Sequence, residues 1–434
     1  MKYENLIILL TPIILIFMLS VIDFTDENNT HNNEKQTRDS EIVKADPQEK
    51  ADQQQESEPE LEKQPQDEKL ADTSDIDSLQ ASYDEIQKEE ESAFQEKIEK
   101  KWGEYKTSSQ KEWLSYSENQ NIRRSVNYET GEVTVEALMS PESMVPENVK
   151  KLLEKETRNF LNITEAQAFK SDEISQNVEK RLPDNNETVA RSKPSDHPLF
   201  NVNEMPPLSF NYSGFVKVSA SSKTLVNARI RKSKIKNKVI AQTKLKLDER
   251  VLRKTSQYAK ILKIMANKQK ISPALVYAII ETESNFNPMA KSNIPAFGLM
   301  QIVPRTAGKD ATKHLWGKPK VLAPSYLYSS INNIQIGTAY LHVLYYKYLR
   351  KVKNSQSRAY LAIAAYNTGT TNVARAFVRQ KNFNRATRKI NKLSSNKVYR
   401  TLVKRLPFRE TRRYVKKVTK AMNHYWTMQQ QNVI

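Results

Sequence analysis

The sequence predicts an α+β protein. A mainly helical C-terminal domain should follow a smaller α+β domain, a disordered linker and an N-terminal transmembrane helix. Three observations predict this order. Residues 6–22 are almost unbroken apolar sequence, at the short end of what crosses a bilayer. Residues 25–78 are rich in Glu, Gln, Asp, Lys and Pro and carry too little apolar surface to offset the entropy of ordering. From residue 248 onward apolar residues recur at helical spacing, whereas residues 125–136 alternate on either side of a turn. At 434 residues the chain has room for two or three domains.

Taken in order, residues 1–24 read as a signal anchor. Lys2 precedes the apolar run and Asp23, Asp26 and Glu27 follow it, which places the N-terminus in the cytoplasm and the rest across the membrane. No small-residue cleavage site follows, so an uncleaved anchor in the inner membrane is expected, with a cleaved signal peptide as the alternative. The linker at 25–78 then gives the following domains reach.

Charge divides the chain. Residues 23–100 hold 25 acids against 9 bases, and residues 101–434 hold 59 bases against 24 acids. So basic a folded region seeks a polyanion, and beyond a membrane anchor that is the cell wall with its peptide carboxylates or an anionic membrane surface, not nucleic acid. There is no cysteine, and the five histidines are scattered. Neither a disulfide nor a metal site is proposed, and no cofactor is implied.

Residues 79–246 read as the α+β domain. A helix-spaced acidic stretch ends at Trp102-Gly103, and Trp113 and Tyr116 supply an aromatic core. Residues 125–128, 129–132 and 133–136 read as strand, turn and strand, residues 146–160 as a helix, and 210–220 and 226–247 as strands bearing Arg231, Lys232, Lys234, Lys236 and Lys238. Residues 247–434 read as the helical domain, with helices at 248–270, 332–352, 357–368, 371–380 and 410–428. Residues 294–303 are the exception, where Pro295 and Gly298 permit only a short irregular or β-like excursion.

The stretch 271–307 carries the chemistry. Ser272 is placed to cap a helix that Pro273 begins. Val276, Ile279, Ile280 and Glu283 fall at i, i+3, i+4 and i+7, on one face. A carboxyl at the end of an apolar stripe, in a last helical turn, is disfavoured in its charged form and can then act as a general acid near neutral pH. Taken alone, a surface glutamate at a frayed helix end is the other reading.

Glu283-Ser284, Phe286-Asn287-Pro288, Gly298-Leu299-Met300-Gln301 and Ala365-Tyr366-Asn367 with Gly369, in that order, resemble the lysozyme-like lytic transglycosylases (family 1) of bacterial cell walls. Trp102-Gly103, Trp113 and the 127–136 hairpin look like the N-terminal domain of the murein transglycosylase C family. The resemblance implies a lysozyme-like fold for residues 247–434 and a catalytic acid/base role for Glu283. It also implies that Gln301, Tyr366 and Asn367 line a cleft for peptidoglycan glycan strands, and it names Ser284, Met300, Tyr340 and Tyr414 for the same cleft. Taken alone, Ser284 is equally a helix-end hydroxyl, Met300 equally core, and each of those two tyrosines a core aromatic. Two features depart from the resemblance. Thr368 stands where a second glycine is common, and no cysteine is present to carry the lipid anchor usual in that family.

From residue 251 onward the acids are Glu281, Glu283, Asp310 and Glu410. Asp310 lies in a polar segment, Glu410 sits among arginines, and Glu281 lies roughly 200° round the helix from Glu283. An ordinary glycosidase needs two carboxyl groups across the bond. The resemblance implies instead that the sugar's own 6-hydroxyl closes a 1,6-anhydro ring while Glu283 serves as acid and then base. A hydrolysing muramidase and a non-catalytic murein-binding scaffold are the rival readings.

Overall fold

A computed structural model of the chain describes residues 74–201, 209–211, 225–249, 251–252, 255–293 and 295–431. The expected anchor at 6–22 and most of the expected linker lie outside these residues. No described helix is long and apolar enough to cross a membrane. All described residues fall in one compact unit.

Helix α1 (Ser74–Trp102) begins with Asp75 and Asp77 and ends with Lys100 and Lys101, a charge order that suits the helix dipole. The expected hairpin is present and longer than the alternation suggests. Strand β1 (Glu112–Tyr116) pairs with β2 (Ile122–Asn127), and β2 with β3 (Glu132–Met139), with Val126 opposite Val133. Helix α2 (Pro146–Leu161) packs on β3, stacking Phe160 on Trp113 at 4.9 Å between ring centres. Two short helices follow, α3 (Glu165–Lys170) with a Thr164–Gln167 capping box and α4 (Glu173–Arg181), then strand β4 (Val189–Ala190).

Strands β5 (Ser209–Asn211), β6 (Leu225–Lys232) and β7 (Val239–Lys246) complete a sheet of order β1-β2-β3-β7-β6-β5, antiparallel except between β5 and β6. The basic residues expected on these strands divide. Lys234, Lys236 and Lys238 lie outside the strands, between β6 and β7. Arg231 pairs with Glu104 at 3.2 Å and Glu136 at 3.0 Å, so part of that charge is neutralised within the domain.

The helical region is shorter at its start than the pattern suggests. Residues 248–252 are turn and loop, and α5 spans Ala259–Lys268 after a 3₁₀ turn. Next come α6 (Pro273–Ser284), α7 (Lys309–Trp316), strand β8 (Val321–Leu322), α8 (Pro324–Leu327), α9 (Ser330–His342) and α10 (Ser355–Val378). Helices α11 (Phe383–Ile390), α12 (Ser395–Arg405) and α13 (Arg409–Gln430) close the fold. Sheet and helices share one large core, and α6 packs most extensively against α13.

The two regions are stitched together at several points. Strand β4 pairs in parallel with β8. Buried Glu165 accepts hydrogen bonds from Ser195 and from Ser330 at the start of α9. Helix α1 reaches the far side through Asp84–Arg305 and Asp77–Lys309.

Candidate active site

Helix α6 brings Glu283 to the site through a run that is buried all round, with Ala274 to Ile280 all inside the core. Pro273 begins the helix as expected, but Ser272 makes no side-chain capping bond. Glu283 is only 8% exposed. Its Oε1 accepts a hydrogen bond of 2.7 Å from the hydroxyl of Tyr414 on α13. Burial pushes its carboxyl up to about 7, while the Tyr414 bond and the charge of Lys111 pull it down and Glu410 adds to the rise.

The chain turns sharply after this helix. Asn285 and Phe286 both take left-handed backbone, with φ of 52° and 66°. Asn tolerates that region, but for a bulky Phe it is a strained conformation of the kind that collects at functional sites. Phe286 is held there by burial and by stacking on Tyr258 at 6.4 Å. Beyond it lies the β-like excursion, as expected. Phe297 bridges Lys291 and Ile302, and Gly298 supplies a φ of +72° where a Cβ would meet the Asn333 amide at 2.3 Å.

The residues named from the sequence separate into two groups. Tyr340, Tyr366 and Tyr414 gather beside Glu283. The Tyr340 and Tyr366 rings lie 5.4 Å apart. Burial raises the hydroxyl pKa of Tyr366 and Tyr414, and the Glu283 charge raises both further. The Tyr366 hydroxyl donates to the Met300 carbonyl at 2.8 Å, and Asn367 is exposed beside it. Gly369 alone breaks the backbone of α10 (φ 76°, ψ 158°), so Thr368 leaves the turn undisturbed.

Ser284 and Met300 face inward. Ser284 is fully buried and its hydroxyl donates to the Leu299 carbonyl at 2.7 Å, latching the helix end to the excursion. Met300 is fully buried against Gly337. Both side chains thus make their contacts within the protein, the alternative that the sequence leaves open for each. Gln301, left-handed at φ 46°, donates its amide to the Ala290 and Gly298 carbonyls at 3.2 and 3.1 Å. Its Oε1 is buried with no hydrogen-bond partner among the described residues.

Two supports were not legible beforehand. Asn333 of α9 accepts from the Met300 N–H and donates to the Phe297 and Leu327 carbonyls, each at 2.8 Å. Lys111, from the sheet region, donates to the Glu281 and Thr282 carbonyls at 2.9 Å. The remaining acids lie as follows. Glu281 takes a hydrogen bond from Tyr425, and Glu410 is exposed one turn before Tyr414. Asp310 corrects the reading of a polar setting. Burial raises its pKa, and it accepts from Tyr348 at 2.9 Å.

With this geometry in view, comparison with known proteins is direct. Residues 260–389 match the transglycosylase SLT domain, and residues 85–157 match the N-terminal domain of membrane-bound lytic murein transglycosylase C. A membrane-bound lytic murein transglycosylase C from Edwardsiella ictaluri is 31% identical over 342 residues, covering 76% of this chain and 87% of that one. The chain belongs to the membrane-bound lytic murein transglycosylase C family. A second family member, from Yersinia enterocolitica, is 40% identical over 173 residues, covering 40% of this chain and 48% of that one. The 70 kDa soluble lytic transglycosylase of Escherichia coli shares 28% identity over 41% of this chain and 25% of its own, with a TM-score of 0.32. Within the family match, the SLT segment contains Glu283, Gln301, Tyr340, Tyr366 and Asn367. Tyr414, the hydrogen-bond donor to Glu283, lies beyond it.

Proposed function

We propose how the residues around Glu283 divide the work of one reaction. The protein is a peptidoglycan lytic transglycosylase of the cell envelope, a lyase acting on polysaccharide. In our reading it cleaves the β-1,4 bond between N-acetylmuramic acid and N-acetylglucosamine. Glu283 gives its proton to the leaving oxygen. The resulting carboxylate then takes the proton of the sugar's 6-hydroxyl, which attacks the anomeric carbon and closes a 1,6-anhydro ring. The C–O bond lost is replaced by a C–O bond within one sugar, and no water is consumed.

One observation carries this reading: beside the Tyr340, Tyr366 and Tyr414 cluster stands one buried carboxyl, poised near 7, with a phenol bonded to it. A group that must be acid and then base works best with a pKa near the ambient pH. The Tyr414 bond supports the carboxylate stage, because a donor to the charged form favours it. Asn367 and the unpartnered Gln301 acceptor suit sugar amides, and Tyr340 and Tyr366 supply ring surface beside them. Anchoring by residues 6–22 would hold this site on the periplasmic side.

Digestion of purified murein sacculi followed by mass analysis tests the reading. Products should be one water lighter than hydrolytic muropeptides and lack a reducing muramic end. Reducing ends would show hydrolysis, and intact sacculi a scaffold.

A further inference from the structure

Beyond the acid, the C-terminal half of α10 and helices α11 and α12 enclose an open cleft of about 600 Å³. Its floor is apolar, with buried Phe377 and half-buried Leu393. Its rim is cationic, formed by exposed Lys389, Lys397, Arg400, Lys404 and Arg405. No carboxylate lines the cleft, and none of these five makes an ion pair among the described residues. The reason lies in the sequence. Residues 321–434 hold 22 Lys and Arg against one acid, Glu410, so the rim has almost no counter-charge to draw on within its own region.

Lys397, Arg400 and Lys404 stand at i, i+3 and i+7 of α12, on one helix face. Like charges at such spacing destabilise a helix, a cost that an external anion offsets. Tyr366 and Phe377 lie on the same helix, α10, with the break at Gly369 between them. Their separation along even a straight helix is about 16 Å. An extended chain of about five residues spans that distance.

We propose that this cleft binds the carboxylate-bearing peptide of the murein strand held at the active site, its acids on the cationic rim and its aliphatic side chains on the Phe377 floor. The proposal rests on the lytic transglycosylase reading. It makes peptide-bearing strands the preferred substrate over bare glycan.

The test compares the full chain with a triple variant, Lys397→Glu, Arg400→Glu and Lys404→Glu, on intact murein and on strands stripped of peptide by an amidase. The wild-type protein should favour peptide-bearing strands. The variant should lose about tenfold of that preference, the worth of a few exposed charge contacts, while cleaving stripped strands at the wild-type rate. Calorimetric titration with the free acidic peptide reads the cleft independently of turnover, and binding should vanish in the variant. Unchanged preference together with unchanged peptide affinity overturns the proposal. So does a variant that loses only its binding to phosphatidylglycerol vesicles, which would assign the rim to lipid headgroups. Peptide binding that depends on the rim, with no anhydro ends formed from any strand, would sink the enzymatic reading and leave the cleft's ligand standing.

Discussion

Lys111 donates its ammonium protons to the backbone carbonyl of Thr282, and to that of Glu281 beside it, at 2.9 Å each. A residue of the sheet region thus caps the negative end of the helix that delivers Glu283. Asn287 adds a second tie to that region, its amide donating to the Gln110 carbonyl at 3.3 Å. The sheet region therefore acts on the helix that carries the acid.

Replacing Lys111 by Met removes this cation. Because Lys111 holds the Glu283 carboxyl down, its loss should move the alkaline limb of the kcat/KM profile to higher pH. Two carbonyls lose a charged donor, so stability should fall by about 2 kcal/mol. Lys111→Arg should restore the limb. An unmoved limb in the Met variant would confine Lys111 to a structural role.

The Tyr414–Glu283 bond makes a separate prediction. Tyr414→Phe removes the donor that favours the carboxylate, so the Glu283 pKa should rise and the acid step, which leaves the carboxylate behind, should slow. The loss in kcat is expected to be roughly ten- to hundredfold, the worth of a hydrogen bond to a charged group. KM should change little, since the phenol serves the acid. The check is a paired measurement of both constants on soluble glycan.

Much of this arrangement is legible in the sequence and some is not. The Val276–Ile280 stripe places Glu283 on an apolar face and the resemblance to a known family singles it out as the acid, while the turn at 129–132 identifies the hairpin because that signal is local and periodic. Ser284 and Met300 are named for the cleft by resemblance alone, and in sequence they read equally well as a helix-end hydroxyl and a core residue respectively. Only the tertiary contacts with Leu299 and Gly337 turn them inward. Lys111 and Asn333 act across 170 and 33 residues of chain, a separation that no spacing rule spans. Asp310 looks polar by its neighbours in sequence, and only Tyr348, 38 residues on, reveals its enclosure.

Glu283→Gln should separate activity from stability. Sacculus clearing should be abolished, yet the variant should be the more stable protein at pH 8. The folded carboxyl, raised from 4.5 to about 7, binds more protons than the unfolded one between those values. Wild-type stability therefore falls as pH rises through that window. The full penalty, up to about 3 kcal/mol, is reached above pH 7 and is absent below 4.5. Denaturant titrations of both proteins at pH 4, 6 and 8 should diverge progressively; parallel curves would mean that Glu283 is not desolvated.

Glu410 decides between the two enzymatic readings. It is the one other carboxylate whose charge raises the Glu283 pKa, and it stands exposed on the helix that carries Tyr414. Were it a base that activates water, Glu410→Gln would remove most activity, and the wild-type products would have reducing ends. As a distant like charge it does less. Its removal should lower the Glu283 pKa slightly, draw the alkaline limb toward lower pH, and leave the products as 1,6-anhydro ends formed at nearly the wild-type rate. Exposed charges act through screening solvent, so that shift should shrink further in high salt, whereas the loss of a true catalytic base would not recover at any ionic strength.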